Sequence, residues 1–204
     1  MTDLKQIFEA RRAVNFFDTK KNLSEEVLEK IINLAVTAPS AFNLQPWGII
    51  AVKSTEAKQK LFDLSNKQPK ILEAPVTLVI TGNRAGYDES NPIWADFESM
   101  LGKEKADGYK QFAASLYGST LERKVKFAES NAGLLAMSIM YAAKYYGVDS
   151  HPASGVDFDG IKKEFNIEGE NEVVMIICLG YFDQTKTLYP RSRRFDYKEL
   201  VKEI

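Results

Sequence analysis

Reactive side chains are scarce in this chain. Its 204 residues include one cysteine, Cys178, and one histidine, His151. A single thiol cannot close an internal disulfide, and one set in an apolar run acts as a small hydrophobe. One Cys and one His provide no ligand set for a transition metal. A Ser-His-Asp or Cys-His nucleophile would have only His151 to draw on. An excess of one charge is also missing: 27 Lys and Arg stand against 28 Asp and Glu, so there is no basic field for a nucleic acid. The longest apolar runs, around 76–80 and 173–179, fall far short of the ~20 residues that cross a bilayer. Met1-Thr2-Asp3 leads directly into an amphipathic pattern without a signal-peptide profile. The expectation is a cytoplasmic protein with no bound metal and no membrane or nucleic-acid partner. Any hard chemistry is expected to belong to a cofactor.

What is present is ordinary globular material, 45% hydrophobic and 27% charged, with no repeat or linker. One domain over residues 1–204 is expected. Leu4, Ile7 and Phe8 predict a first helix with Asp3 as N-cap. Ser24 caps a second, with Glu25 and Glu26 in its first turn, a Leu23–Leu28 staple, a stripe of Val27, Leu28, Ile31, Leu34 and Ala35, and Pro39 as stop signal. Residues 47–53, 76–81 and 173–181 read as strands, the latter two near-continuously apolar as if covered on both faces. A helix opened by Ser54 or Thr55 carries Ala57, Leu61 and Leu64 on one side. The longest helix is predicted over about 119–146, ended by Gly147 at C′. Leu121, Val125, Ala128, Ala132, Leu135, Ile139, Ala142 and Tyr146 form its main stripe, with Gly133, Ala136 and Ala143 on a second face. A central core helix and a subunit contact both account for this pattern. Residues 83–118 carry Tyr87, Trp94, Phe97, Tyr109, Phe112 and Tyr117 between glycines. Two readings stand: a surface excursion with its aromatics packed inward, or a flap over a flat ligand.

Four clusters offer binding chemistry. Arg11-Arg12-Ala13-Val14-Asn15 follows the first helix, and two adjacent guanidiniums can grip a phosphate. Pro39-Ser40-Ala41-Phe42-Asn43-Leu44-Gln45-Pro46-Trp47 joins a helix to a strand and presents hydroxyl and amide groups from a proline-stiffened loop. Turn chemistry explains Pro39 and Ser40 well, and Asn43 and Gln45 less well. Ser150-His151-Pro152-Ala153-Ser154-Gly155 reads as a tight turn bracketed by Pro152 and Gly155, with backbone N–H groups available to a ligand. Arg191-Ser192-Arg193 could place both guanidiniums on one side of an extended segment.

In this order and spacing the clusters resemble the FMN-dependent nitroreductase family along essentially the whole chain. The Pro39–Trp47 segment is the most specific match, to Pro-Ser-x-x-Asn-x-Gln-Pro-Trp. Arg11 to Phe16 is similar to the N-terminal phosphate motif, with Ala13 where serine is usual and Asn15 where a basic residue is frequent. Gln68-Pro69-Lys70 resembles the stretch that approaches the pyrimidine end of the flavin, and Asn131-Ala132-Gly133 the opening of the family's central helix. The resemblance implies an α+β fold, a central antiparallel sheet flanked by helices, in an intertwined homodimer with FMN at the interface. It assigns cofactor contacts to Arg11, Arg12, Ala13, Asn15, Pro39, Ser40, Ala41, Asn43, Gln45, Gln68, Lys70, Pro152, Ala153, Ser154, Gly155, Arg191 and Arg193. Arg11, Arg12, Arg191 and Arg193 would come from one subunit; Ser40, Asn43 and Gln45 would come from the other.

The implied activity carries hydride from NADH or NADPH through flavin N5 to a small acceptor such as a nitroaromatic, a quinone or a flavin, in a ping-pong cycle. No residue is a catalytic acid or nucleophile; Lys70 would stabilise negative charge on the reduced ring. The same residues would serve a non-catalytic FMN-binding redox sensor or flavin store. An anion-binding scaffold would leave the Asn43–Trp47 loop unexplained. No Gly-x-Gly-x-x-Gly run with an acidic ribose contact indicates which nicotinamide is used.

Overall fold

A computed structural model describes residues 3–204; Met1 and Thr2, on which part of the leader reading rests, lie outside them. Four strands, β1 (Trp47–Val52), β2 (Val76–Asn83), β3 (Asp149–Ala153) and β4 (Asn171–Gly180), form one sheet in the order β1-β2-β4-β3. Every pairing is antiparallel. Helices cover both faces, giving the expected α+β architecture. On one face Leu78, Ile80, Ile177 and Leu179 pack against α2 (Glu25–Ala35) and α7 (Leu121–Tyr145). On the other, Val79, Ile176 and Cys178 pack against α3 (Thr55–Asp63), α4 (Lys70–Glu73) and α8 (Phe158–Glu164). Alternate residues of β2 and β4 thus enter different cores, so both strands read as unbroken apolar runs.

Local chemistry fixes the helix ends. Asp3, which starts α1 (Leu4–Ala10), Ser24, Ser54 and Thr120 each accept a backbone N–H at their N-cap. At the far end of α7, Gly147 has φ +74°. Its N–H donates to the Lys144 carbonyl at 3.1 Å and that of Val148 to the Ala143 carbonyl at 2.8 Å, a Schellman ending that turns the chain into β3. Helix α7 lies hard against β2: a Cβ on Gly82 would stand 2.7 Å from the Ala128 carbonyl oxygen.

Two expectations need correction. Residues 149–153 form β3, a fourth strand, where a tight turn was expected. Pro152 is tolerated because β3 is an edge strand, where a missing N–H disrupts least. The edge itself is partly closed by a parallel bridge between Ala13 and Ser150. Asn131 sits well inside α7 and does not open it.

Residues 93–117 fold as two helices, α5 (Ile93–Leu101) and α6 (Lys103–Tyr117), meeting at Gly102 with φ +83°. Tyr87, Trp94 and Phe127 are buried with Leu44 in a third core, and Phe97 and Tyr117 pack against it. Tyr109 and Phe112 stay largely exposed. The excursion packs most of its aromatics inward and leaves two at the surface. Among the described residues, no helix is long and apolar enough to cross a membrane.

Candidate functional site

The first cluster gathers along the β3 edge. Val14 donates its N–H to the Ser150 carbonyl at 3.0 Å, and its own carbonyl lies 3.0 Å from His151 Nδ1. This lays the 11–14 segment alongside β3. The C-terminal segment returns beside it: Arg12 donates to the Tyr189 carbonyl and Arg191 to the Glu9 carbonyl. Between them lies a pocket of about 170 Å³ lined by Arg11, Arg12, Ala13, Tyr189, Pro190, Arg191, Ser192 and Arg194. None of its lining residues is acidic, so the pocket suits a multiply charged anion such as a phosphate monoester.

Arg193, expected in this group, stands apart. It pairs with Glu199 and lies over the Phe195 ring, 5.0 Å from its centroid. Arg194 lines the pocket in its place. Alternation along an extended segment would put Arg191 and Arg193 on one side; here the consecutive residues Tyr189, Pro190, Arg191 and Ser192 all line the pocket, so the segment does not alternate and Arg194 faces the pocket instead of Arg193.

Further along the same edge, just past β3, Gly155 offers its carbonyl to Asn66 Nδ2 at 2.9 Å and Gln68 Nε2 at 3.2 Å. Lys70 Nζ in turn donates to Gln68 Oε1 at 3.0 Å. The 66–70 and 153–155 segments are thereby tied together, and Ser154 and Gly155 remain exposed. Lys70 is half-buried at the start of α4, and burial lowers its pKa below the usual lysine range, against the raising effect of Cys178 and Glu73. His151 falls to about 4, first through burial and then through the Lys70 charge, opposed by its bond to Val14. The imidazole is therefore neutral at pH 7, with Nδ1–H directed to Val14. Sequence reading gave His151 no binding role, and nothing in the sequence could reveal a bond to a residue 137 positions away.

The second cluster lies at the opposite edge of the sheet. The Pro39–Gln45 loop leads into β1, three strand spacings from β3, or about 14 Å. Ser40 Oγ accepts the Gln45 N–H at 3.0 Å, and Asn131 Oδ1 accepts the Ala41 N–H at 2.9 Å. Asn131 is buried in α7, and its amide donates to the Phe127 carbonyl at 2.6 Å. Asn91 Nδ2 donates to the Leu44 carbonyl at 2.8 Å. Phe42, Asn43 and Gln45 have φ of +51°, +52° and +47°, a left-handed region that Asn tolerates and Phe and Gln avoid. Asn43 is exposed, while Ser40 and Gln45 are half-buried. Pro39 and Ala41 flank Ser40 at the loop's start. Asn15 is half-buried on the first edge. Among the described residues, no hydrogen bond joins the loop to the arginine pocket or the Lys70 group.

The chain has clear counterparts. The sequence model of the nitroreductase family matches residues 8–181. MhqN of Bacillus subtilis, which carries the name of an NAD(P)H nitroreductase, is 31% identical over 204 residues, covering 98% of each chain. The crystal structure of a nitroreductase named YdfN, also from Bacillus subtilis, superposes with a TM-score of 0.92 at 30% identity, covering 98% of both chains. A nitroreductase from Exiguobacterium sibiricum, solved in complex with FMN, superposes with a TM-score of 0.85 at 25% identity, covering 99% of this chain and 97% of that one. The fold is that of these proteins, and the chain belongs to the nitroreductase family.

Proposed function

We propose that this protein is an FMN-dependent oxidoreductase that draws electrons from NADH or NADPH and delivers them to a small, flat acceptor. The observation that carries this is a half-site of matching polarity along one sheet edge. An arginine pocket without acids suits the phosphate. The Gln68–Lys70 pair, tied to Gly155, suits the pyrimidine end of the ring. The relative from Exiguobacterium sibiricum, solved with FMN, supports the choice of cofactor, and the name of MhqN supports the nicotinamide.

FMN, when bound, supplies two-electron transfer between nicotinamide and acceptor. This chain's residues hold, orient and tune. Arg11, Arg12 and Arg191 would hold the phosphate, with Arg194 beside them and Arg193 able to join only by leaving Glu199. Lys70, partly desolvated, offers a positive charge worth more there than in water to negative charge gathering near it. The N–H groups of Ser154 and Gly155, on exposed backbone just past β3, would meet ring atoms from the side. Pro152 and Ala153 keep that backbone extended. Ser40, Asn43 and Gln45 stand at the other edge, so a second copy of the chain would bring its loop to this half-site, and each of two sites would be shared by a homodimer. Neither the poverty of histidine nor that of cysteine hinders such a mechanism, which needs no amino-acid nucleophile. Nitroaromatics, quinones and flavins all suit a broad, flat site.

The test is an absorbance spectrum of the purified protein before and after anaerobic NADH or NADPH. A yellow protein bleached by either donor is the expected result. Retention of colour with both donors would favour a redox sensor or flavin store. A colourless protein that takes up no added FMN would overturn the proposal.

A further inference from the structure

The Pro39–Gln45 loop adopts a conformation its sequence resists. Left-handed backbone is rare for a bulky side chain, yet Phe42 takes it with φ +51° and ψ +25°. The loop is held where the Ala41 N–H donates to Asn131, the Gln45 N–H donates to Ser40 and Asn91 donates to the Leu44 carbonyl. The Phe42 ring sits 6.1 Å from Trp94 and Tyr109 and 6.3 Å from Phe112 and Tyr117, measured between centroids. Trp94 belongs to α5 and the other three to α6. Tilted and edge-on pairs at such separations attract, and four of them converge on one residue of the loop. Asn43, the next residue, and Gln45 carry the loop's other left-handed angles.

We propose that Phe42 is a positioning residue: its ring, seated among the aromatic rings of α5 and α6, holds the Ser40–Gln45 loop in its left-handed form and couples the order of the helical excursion to presentation of Asn43 and Gln45 to the flavin. The inference rests on the FMN reading above. Without the ring, the loop gains freedom that cofactor binding must remove, so affinity falls although Phe42 itself need not touch the flavin. The coupling is reciprocal: cofactor bound at the loop steadies α5 and α6.

The experiment compares the full-length wild type with Phe42→Ala, Phe42→Asn and Phe42→Tyr. Readouts are the FMN dissociation constant and amide exchange of residues 40–45 and 93–117 in the apoprotein. Asparagine accepts left-handed backbone but lacks the ring, so it separates backbone preference from ring packing. Phe42→Ala and Phe42→Asn, which lose all four aromatic pairs, should each weaken FMN binding by at least about tenfold, and speed exchange in both segments. Phe42→Tyr should stay within about twofold of wild type, since its ring restores the same pairs. Wild-type affinity in Phe42→Asn would show that backbone preference alone sets the loop and would overturn the proposal. If the Phe42 variants do not fold, Tyr109→Ala with Phe112→Ala provides the same test from the other side, because those rings are 42% and 54% exposed and their loss is tolerable. Unchanged FMN affinity and loop exchange in that double variant would refute the coupling. A wild type that binds no FMN would defeat the functional reading, while apoprotein exchange would still report on the clamp.

Discussion

Consider replacement of His151 by asparagine. The imidazole is half-buried beside Lys70 and directs Nδ1 to the Val14 carbonyl, and its pKa drops from the ordinary 6.5 to about 4. A basic group with a depressed pKa stabilises the fold in its neutral form. As pH falls from 6.5 towards 4 the unfolded chain takes up the proton first, so stability is lost across that window and is fully present above it. At 1.36 kcal/mol per pH unit the ceiling is about 3 kcal/mol, and solvent screening of a half-buried ring reduces it to about 1–2 kcal/mol. Asparagine can donate to Val14 but does not titrate. Urea unfolding of apoprotein at pH 7 and pH 4.5 should therefore show the wild type losing about 1–2 kcal/mol more than His151→Asn between the two conditions. Equal losses in both proteins would mean that His151 does not titrate as the geometry requires.

Other consequences follow from the same structure. Arg191→Ala should weaken FMN retention more than Arg193→Ala, because Arg191 lines the pocket and Arg193 is paired with Glu199; the flavin-to-protein ratio after dialysis measures this, and the reverse order would move the phosphate. Lys70→Ala should lower the flavin midpoint potential in a redox titration by removing the positive charge near the ring; an unmoved potential would remove Lys70 from that role. Gly82→Ala drives a methyl towards the Ala128 carbonyl, at a Cβ-to-oxygen separation of 2.7 Å, and should cost about 1–3 kcal/mol in urea unfolding. Asn131→Ala deprives the Ala41 N–H of its acceptor and should destabilise by about 1–3 kcal/mol, with faster exchange at Ala41.

The framework was legible wherever a physical signal is local. Caps at Ser24 and Ser54, the C′ glycine at 147 and the two-sided apolar runs of β2 and β4 are written in adjacent residues. Strand β3 was not, because Ser-His-Pro-Ala lacks both alternation and apolar content, and it is held by β4 on one side and the Ala13 bridge on the other. The same limit governs the site. Sequence spacing brought Arg11, Arg12 and Arg191 under suspicion, and the pocket holds all three. It chose Arg193 where the pocket holds Arg194, because side-chain direction on an exposed tail depends on Glu199 and on where the tail lies. Asn131 and Asn91 escaped notice as loop supports, since each acts across a long sequence interval on backbone groups that carry no side-chain signature.

The lone thiol has a bearing on what such a protein can safely handle. Cys178 is fully buried beside its cross-strand neighbour Thr77, and burial pushes its pKa up to about 11. At pH 7 roughly one molecule in ten thousand would carry a thiolate there. Quinones, among the acceptors proposed above, are electrophiles that alkylate thiolates, and the single thiol of this chain is buried away from them. Arylation at cysteine, the hazard of handling such compounds, has no exposed thiol to begin from.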